Sequence, residues 1–285
     1  MRYLNKSLAI ILLIVFSCLS VITVGATSVA NIKTLSTVDD VRQEFVYVLQ
    51  QKGFDLKQIS GLWSNILYES GGDYTAVEGV FDKPFSFEEK KKAVISANND
   101  CGIGLMGFTG EYHRRLCDYA NVFDKRWYNL DVQMAYMLDA KYINNYLARW
   151  LVNDYKNMSF SSAGDAALVV YSDYFKLPYN EKSAQERTAK AEETYNSLSK
   201  QDSPFVSRIC DKVDRYLDYA EPYDANGDKF LTIMDVTDLQ RSLAEFPDVD
   251  INLAVCDTDG NGHISVSDAT IMQRIIAGIV DDSFV

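Results

Sequence analysis

Histidine is scarce: the 285 residues include two, His113 and His263. His263 falls inside an acidic loop near the C-terminus, so no good Cys–His or Ser–His nucleophile–base pair can be assembled. Basic residues are also short, at 28 Lys+Arg against 40 Asp+Glu, a formal charge of −12. No basic patch offers a nucleic-acid footprint. A flexible linker is missing too. Residues 201–220 contain few Gly, Pro or Ser, and "SPFVSRICDKVDRYLDYA" reads as a connecting helix that restricts the motion of the modules it joins.

Among apolar runs, Leu8–Val24 stands out. It follows Arg2 and Lys6 and leaves through Val24-Gly25-Ala26, which marks residues 1–26 as a secretory signal peptide cut after Ala26 or Ala30. A retained membrane anchor is the alternative, since the run is nearly long enough to span. The small-residue exit favours cleavage. Cys18 is only loosely lipoprotein-like, because Phe16 is bulky and apolar residues continue beyond it. The mature chain is then an extracellular one. It keeps Cys101, Cys117, Cys210 and Cys256, which allow three disulfide pairings. Cys101 with Cys117 closes the shortest plausible loop, and buried thiols are an equal alternative.

Without residues 1–26 the charge is −14, of which residues 221–285 carry −10. The acidity belongs to the tail, and the tail is a repeat. Asp224, Asn226, Asp228, Thr232 and Asp235 recur 33 residues later as Asp257, Asp259, Asn261, Ser265 and Asp268. Oxygen side chains thus fall at loop positions 1, 3, 5, 9 and 12 in both copies. Calcium takes six to eight hard oxygens, and position 7 supplies a backbone carbonyl, here Phe230 and His263. Gly262 fills the sharp turn of the second loop, where Lys229 stands in the first. Lysine in a left-handed turn costs roughly 1 kcal/mol, which weakens site one without abolishing it. A solvated acidic loop is the bland alternative, and two in-register copies argue against it.

Each loop leads into one amphipathic helix, Asp235–Phe246 and Asp268–Ile279, with no convincing helix in front. An EF-hand needs helices on both sides. Over residues 221–281 the pattern instead resembles a type I dockerin, the paired loop–helix module that plugs into cohesins of a cellulosome scaffold. The resemblance implies two structural Ca²⁺ ions and a cohesin partner. It places the cohesin-facing residues at Ile233, Met234, Gln240 and Arg241 in the first copy, and at Val266, Ser267, Gln273 and Arg274 in the second. Gln-Arg recurs in both copies, as binding in two rotated orientations would require. Ile233 and Met234 differ from Val266 and Ser267, so the symmetry is imperfect.

Residues 35–200 read as mainly helical, with helices over Val41–Gln51, Leu56–Tyr68, Tyr112–Asn121, Asp131–Lys156, Ala163–Phe175 and Gln185–Leu198. Gly71–Asn99 between them is irregular, with room for a short hairpin or a substrate loop. Three segments in order, "KGFDLKQISGLWSNILYESGGDY", "CGIGLMGFTGEYHRRLCDYA" and "QERTAKAEETYNSL", together resemble the phage-tail lysozyme domains of the goose-lysozyme and lytic-transglycosylase group. The fold this implies is a helical lysozyme-like domain with a small irregular or hairpin insertion, followed by a small all-α dockerin.

The resemblance makes Glu69 the catalytic acid. Cleaving a glycosidic bond near neutral pH needs a carboxyl group that keeps its proton. Burial against apolar groups such as Trp63, Leu67 and Tyr68 would raise a glutamate's pKa. A surface helix-end glutamate is the commoner case, which the resemblance overrides. Gly107 stands where the family carries a glutamine, and Phe108 keeps the aromatic that follows it. The lost hydrogen bond would weaken or redirect sugar binding. Gly102 and Gly104 suit a backbone turn passing close to substrate or Glu69.

A second carboxylate, where one is used, would be Asp73, Glu78, Asp82 or Asp100, with Asp73 nearest in sequence. Transglycosylase-like relatives need one glutamate alone. Tyr74, Phe108, Tyr112 and Tyr171 are candidates for sugar stacking or orientation, with core packing the alternative for each, and His113 reads as a surface helix residue. Together these readings predict a secreted enzyme, displayed outside the cell or at its surface on a cohesin scaffold, that cleaves the peptidoglycan backbone. Another N-acetylated polymer such as chitin is the alternative substrate, and an inactive wall-binding module the alternative class.

Overall fold

The computed structural model describes residues 35–79, 101–176, 178–200 and 205–279. The signal-peptide reading, Asp82, Asp100 and most of the irregular stretch lie outside the described residues. From Thr37 onward the chain packs as one unit. Among the described residues the secondary structure is helical, with two isolated antiparallel bridges, Val77 to Ile103 and Ile103 to Phe108. Those bridges are what the described residues show of the expected hairpin. No described helix is long and apolar enough to cross a membrane.

Helix α1 (Val38–Gln51) starts where the Thr37 hydroxyl accepts the Asp40 amide. Helix α2 (Leu56–Ser70) starts at an Asp55–Gln58 capping box and ends at Gly71 in the left-handed conformation. Its buried face, with Ile59, Leu62, Trp63 and Ile66, makes it the central helix. It packs against α6 (Ala163–Val169) and α7 (Glu181–Leu198). Gly61 permits the approach to α6, since a Cβ there would sit 2.7 Å from the Ala166 and Ala167 backbone. Asn65 Nδ2 then donates to the Ala167 carbonyl at 3.0 Å.

Helix α3 (Gly110–Val122) buries His113, whose Nδ1 lies 2.9 Å from the Cys101 carbonyl. The surface expectation for His113 is therefore corrected. No disulfide joins the four described cysteines.

The long helix expected over Asp131–Lys156 is broken. Helix α4 (Leu130–Leu138) stops at Asp139, and α5 (Tyr146–Arg149) resumes after a loop. Asp139 Oδ1 accepts the Lys141 and Tyr142 amides, Asn145 Nδ2 donates to the Tyr136 carbonyl, and Asn144 is left-handed. These local side-chain bonds outcompete the helix. A π turn, Trp150–Asp154, and a 3-10 turn, Tyr155–Asn157, follow α5. Helix α6 also passes into a π turn, Val170–Tyr174, and α7 begins at Glu181, earlier than Gln185.

Among its described residues the connecting segment is helical only over α8 (Cys210–Asp218). It is tied to α1 instead by fully buried Glu44, which accepts from the Arg208 amide at 3.1 Å, Arg208 Nε at 2.9 Å and the Ser207 hydroxyl at 2.5 Å. In the tail, α9 (Ile233–Leu243) and α10 (Val266–Ile276) pack around Ala225, Val236, Leu239, Cys256, Ala269 and Met272. Both helices start two residues earlier than expected. Asp235 and Asp268 each close a capping box with Thr232 and Ser265, so the carboxylate at loop position 12 also starts the helix.

Candidate active site

Glu69 sits in the last turn of α2, and that turn is stapled to the glycine-rich segment. The Ser70 hydroxyl donates to the Leu105 carbonyl at 2.7 Å. Gly107 takes φ +61, and a Cβ there would lie 3.8 Å from Glu69 Cβ, so a side chain at 107 would sit directly against the glutamate. Glycine leaves that contact empty. Gln133, which the sequence did not single out, holds the turn from beneath. Its Oε1 accepts the Leu105 amide, and its Nε2 donates to the Tyr74 and Trp127 carbonyls, all at 2.7 Å. Gly104 is required under it, because a Cβ at 104 would stand 2.7 Å from Gln133 Oε1.

The apolar enclosure expected around Glu69 is not what surrounds it. Its side chain is 24% exposed, and Oε1 accepts from Arg187 Nη2 at 2.6 Å. Tyr68, one of the groups expected to enclose it, is itself half exposed. Arg187 is 1% exposed and extends from α7, with Nη1 donating to Asn65 Oδ1 at 2.5 Å. Its guanidinium lies over Tyr68 at 4.0 Å and Tyr171 at 4.8 Å. The "QERTAKAEETYNSL" segment contains Arg187, but charge pairs across 118 positions leave no local signal.

A cleft of about 640 Å³ opens here, lined by Tyr68, Glu69, Tyr171, Tyr179, Glu186 and Arg187 among others. Tyr179 is 76% exposed, a flat ring free to take a sugar face. Glu186 supplies a second carboxylate on the cleft wall, 3.9 Å from Lys182. Tyr171 is buried in the π turn, donating its hydroxyl to the Pro178 carbonyl and accepting the Asn180 amide.

In both tail loops the acidic side chains fold back onto the loop's own backbone amides. Asp257, Asp259 and Asp268 bring carboxylate oxygens within 4.8 Å of one another, the one such group among the described residues. Asn261 Oδ1 accepts the His263 amide, and Asp257 Oδ2 accepts the Gly262 amide. Burial pushes the Asp268 carboxyl up, but hydrogen bonds from Ser265 and Thr258 outweigh it and leave it below the ordinary carboxylate value. In the first loop, Asp224 accepts the Gly227, Asp228 and Lys229 amides. Burial, against those amide bonds but with Asp228 and Asp235 adding, raises its carboxyl to about 6. The carboxylate oxygens that converge in the second loop are hard donors of the kind calcium takes.

A family profile for phage tail lysozymes matches residues 40–198, and one for type I dockerin domains matches residues 222–277. The chain belongs to the phage tail lysozyme family. It carries a dockerin, a domain type that binds calcium, behind the lysozyme domain. No curated protein and no solved structure matches the chain.

Other predicted site residues of this lysozyme-family chain are placed as follows. Asp73 is buried, with Oδ1 bonded to the Thr75 amide and hydroxyl at 2.8 and 2.7 Å, which fixes the turn after α2. Glu78 Oε2 accepts the Gly102 amide at 2.8 Å. Phe108 is buried edge-on to Tyr136, a core position. Tyr74 is half-buried, its hydroxyl pushed up by burial and then by Asp73 and Asp131. On the dockerin, Ile233, Met234, Gln240, Arg241, Val266, Ser267, Gln273 and Arg274 are all exposed.

Proposed function

We propose that this chain cleaves the N-acetylmuramic acid–N-acetylglucosamine backbone of peptidoglycan, with Glu69 as the general acid. The observation that carries the reading is Glu69, set against Gly107 on one side and paired with Arg187 on the other, lining an open cleft. Arg187 fixes Oε1 and the plane of the carboxyl group, and Oε2 remains to meet the glycosidic oxygen. Tyr179 and Tyr68 offer stacking faces for the flanking sugars. Asp73 Oδ1 is committed to Thr75, which supports a mechanism with one glutamate serving as acid and then base while the sugar's own hydroxyl attacks. The dockerin, with one calcium ion in each loop, attaches the enzyme to a cohesin outside the cell.

The Arg187 pairing favours a second reading as well. One oxygen of the Glu69 carboxylate is already engaged by a buried guanidinium, as in a wall-binding module that no longer cuts. Glu69→Gln separates the two. General acids contribute roughly 100- to 10,000-fold, so clearing of purified peptidoglycan should fall at least 100-fold while circular dichroism stays unchanged. Near-normal clearing by the folded variant overturns the assignment, and an inactive wild type leaves the binding reading. Mass spectrometry of the products then distinguishes anhydro-sugars from reducing ends.

A further inference from the structure

The two calcium loops have opposite surroundings. Beside the second, a Cβ built on Gly260 or Gly262 meets nothing within 4 Å, so the loop faces open space. The first is covered by the lysozyme domain. A Cβ at Gly227 would lie 3.2 Å from the Lys141 carbonyl, and the Gly227 carbonyl accepts the Ile143 amide at 3.0 Å. Lys229, at the loop position where glycine is usual, holds φ +66 and is 6% exposed. Its ammonium lies 2.9 Å from Asp139 Oδ2 and donates to the Tyr216 and Tyr219 carbonyls at 3.0 and 2.9 Å. Three acceptors match the three protons of an ammonium. The Tyr119 and Tyr219 rings flank it at 5.6 and 5.8 Å, and the Tyr119 hydroxyl donates to Asp139 at 3.0 Å.

A lysine placed in a glycine conformation and then buried with every proton satisfied is not a weakened turn. We propose that the first loop is an interaction surface whose partner is this chain's own lysozyme domain, with Lys229 as the latch and the loop's ion as a structural ion of the enzyme unit. The coupling runs through one residue. The Lys229 amide donates to Asp224 at loop position 1 at 2.8 Å, while its side chain holds Asp139, which shapes the loop between α4 and α5. An ion that fixes Asp224 fixes the backbone from which the latch projects. Without it, the clustered carboxylates of Asp224, Asp228 and Asp235 repel, and the latch loses its mount. The second loop serves the dockerin alone.

This inference rests on the calcium reading of the loops, and hydrogen exchange on the full chain tests the two apart. Peptides covering residues 139–145 and 257–268 are followed in calcium and in chelator, in the wild type, Lys229→Met and Lys229→Gly. In the wild type, calcium should slow exchange at least ten-fold in both segments. In the variants, 257–268 should keep its response and 139–145 should lose it. A response confined to 257–268 in the wild type overturns the latch and leaves the calcium reading standing, and no response in either segment overturns both. Variants that keep the 139–145 response also refute the role of Lys229. The wild-type comparison decides whether the first loop is coupled to the lysozyme domain even where a variant does not fold.

Discussion

At the residue scale the site turns on Glu69 and Arg187. The guanidinium is buried, paired at 2.6 Å, and sandwiched by Tyr68 and Tyr171. Lysine reproduces the charge but not the plane that stacks or the fork that reaches Asn65 and Glu69 together. Arg187→Lys should therefore lower stability by about 1–3 kcal/mol. It should cut wall clearing further than that loss explains, seen when urea melts are set beside assays under conditions where the variant is fully folded. A second expectation concerns thiols. Burial, then the charges of Asp118 and Cys101, raises Cys117 to about 11. A raised thiol stays neutral until pH rises through that value, and only the thiolate reacts. Cys117 should alkylate roughly 100-fold more slowly at pH 8 than an unhindered thiol, with labelling recovering as pH climbs past 10. Fast labelling of Cys117 at pH 8 would contradict the burial that α3 imposes.

Elements show what a sequence makes legible. The start of α2 at Leu56 and the dockerin repeat are local patterns, and both fall where the residues imply. Position 12 of each loop reads as a ligand and is found as a capping residue, because both roles ask for the same carboxylate. The break after α4 was not legible. Residues 131–156 keep helical apolar spacing, and the bonds that interrupt the helix, Asp139 to the Lys141 and Tyr142 amides and Asn145 to the Tyr136 carbonyl, leave no mark in that spacing. The same holds for Arg187 and Gln133, which act through contacts that periodicity cannot encode. Gly61 is a further case, a glycine inside a helix that turns out to be a crossing point. Gly61→Ala adds one methyl against the α6 backbone at 2.7 Å. Overpacking of that kind costs about 1–3 kcal/mol. Because α2 carries Glu69, activity should drop along with the urea midpoint. An unchanged midpoint would mean that α6 can shift without cost.

For the molecule as a whole, the question is whether two modules matched separately behave as one body. Among the described residues the lysozyme region holds the dockerin at the Lys229 socket, and it holds the connecting segment at Arg208 before α8 and along α8 itself. The second joint depends on Glu44, a fully buried carboxylate that accepts from the Arg208 amide, its side chain and Ser207. Arg208 keeps 30% exposure, so part of the pair is already solvated and the energy is that of hydrogen bonds to a charge, about 1.5–3 kcal/mol. Arg208 is also the trypsin site nearest the joint on the lysozyme side of α8. While Glu44 holds it, cleavage must wait for local opening, and cleavage of an opened state follows its population. Glu44→Ala should therefore raise the rate of cutting after Arg208 by roughly 10-fold or more, since about 1.4 kcal/mol is worth tenfold. The products should be a lysozyme-sized fragment and a dockerin-sized one. Activity on purified peptidoglycan should survive the substitution, because Glu44 lies on α1 and does not line the cleft. Equal cutting of the variant and the wild type would place the strength of the joint in the Lys229 socket, and then Lys229→Met rather than Glu44→Ala should release the fragment.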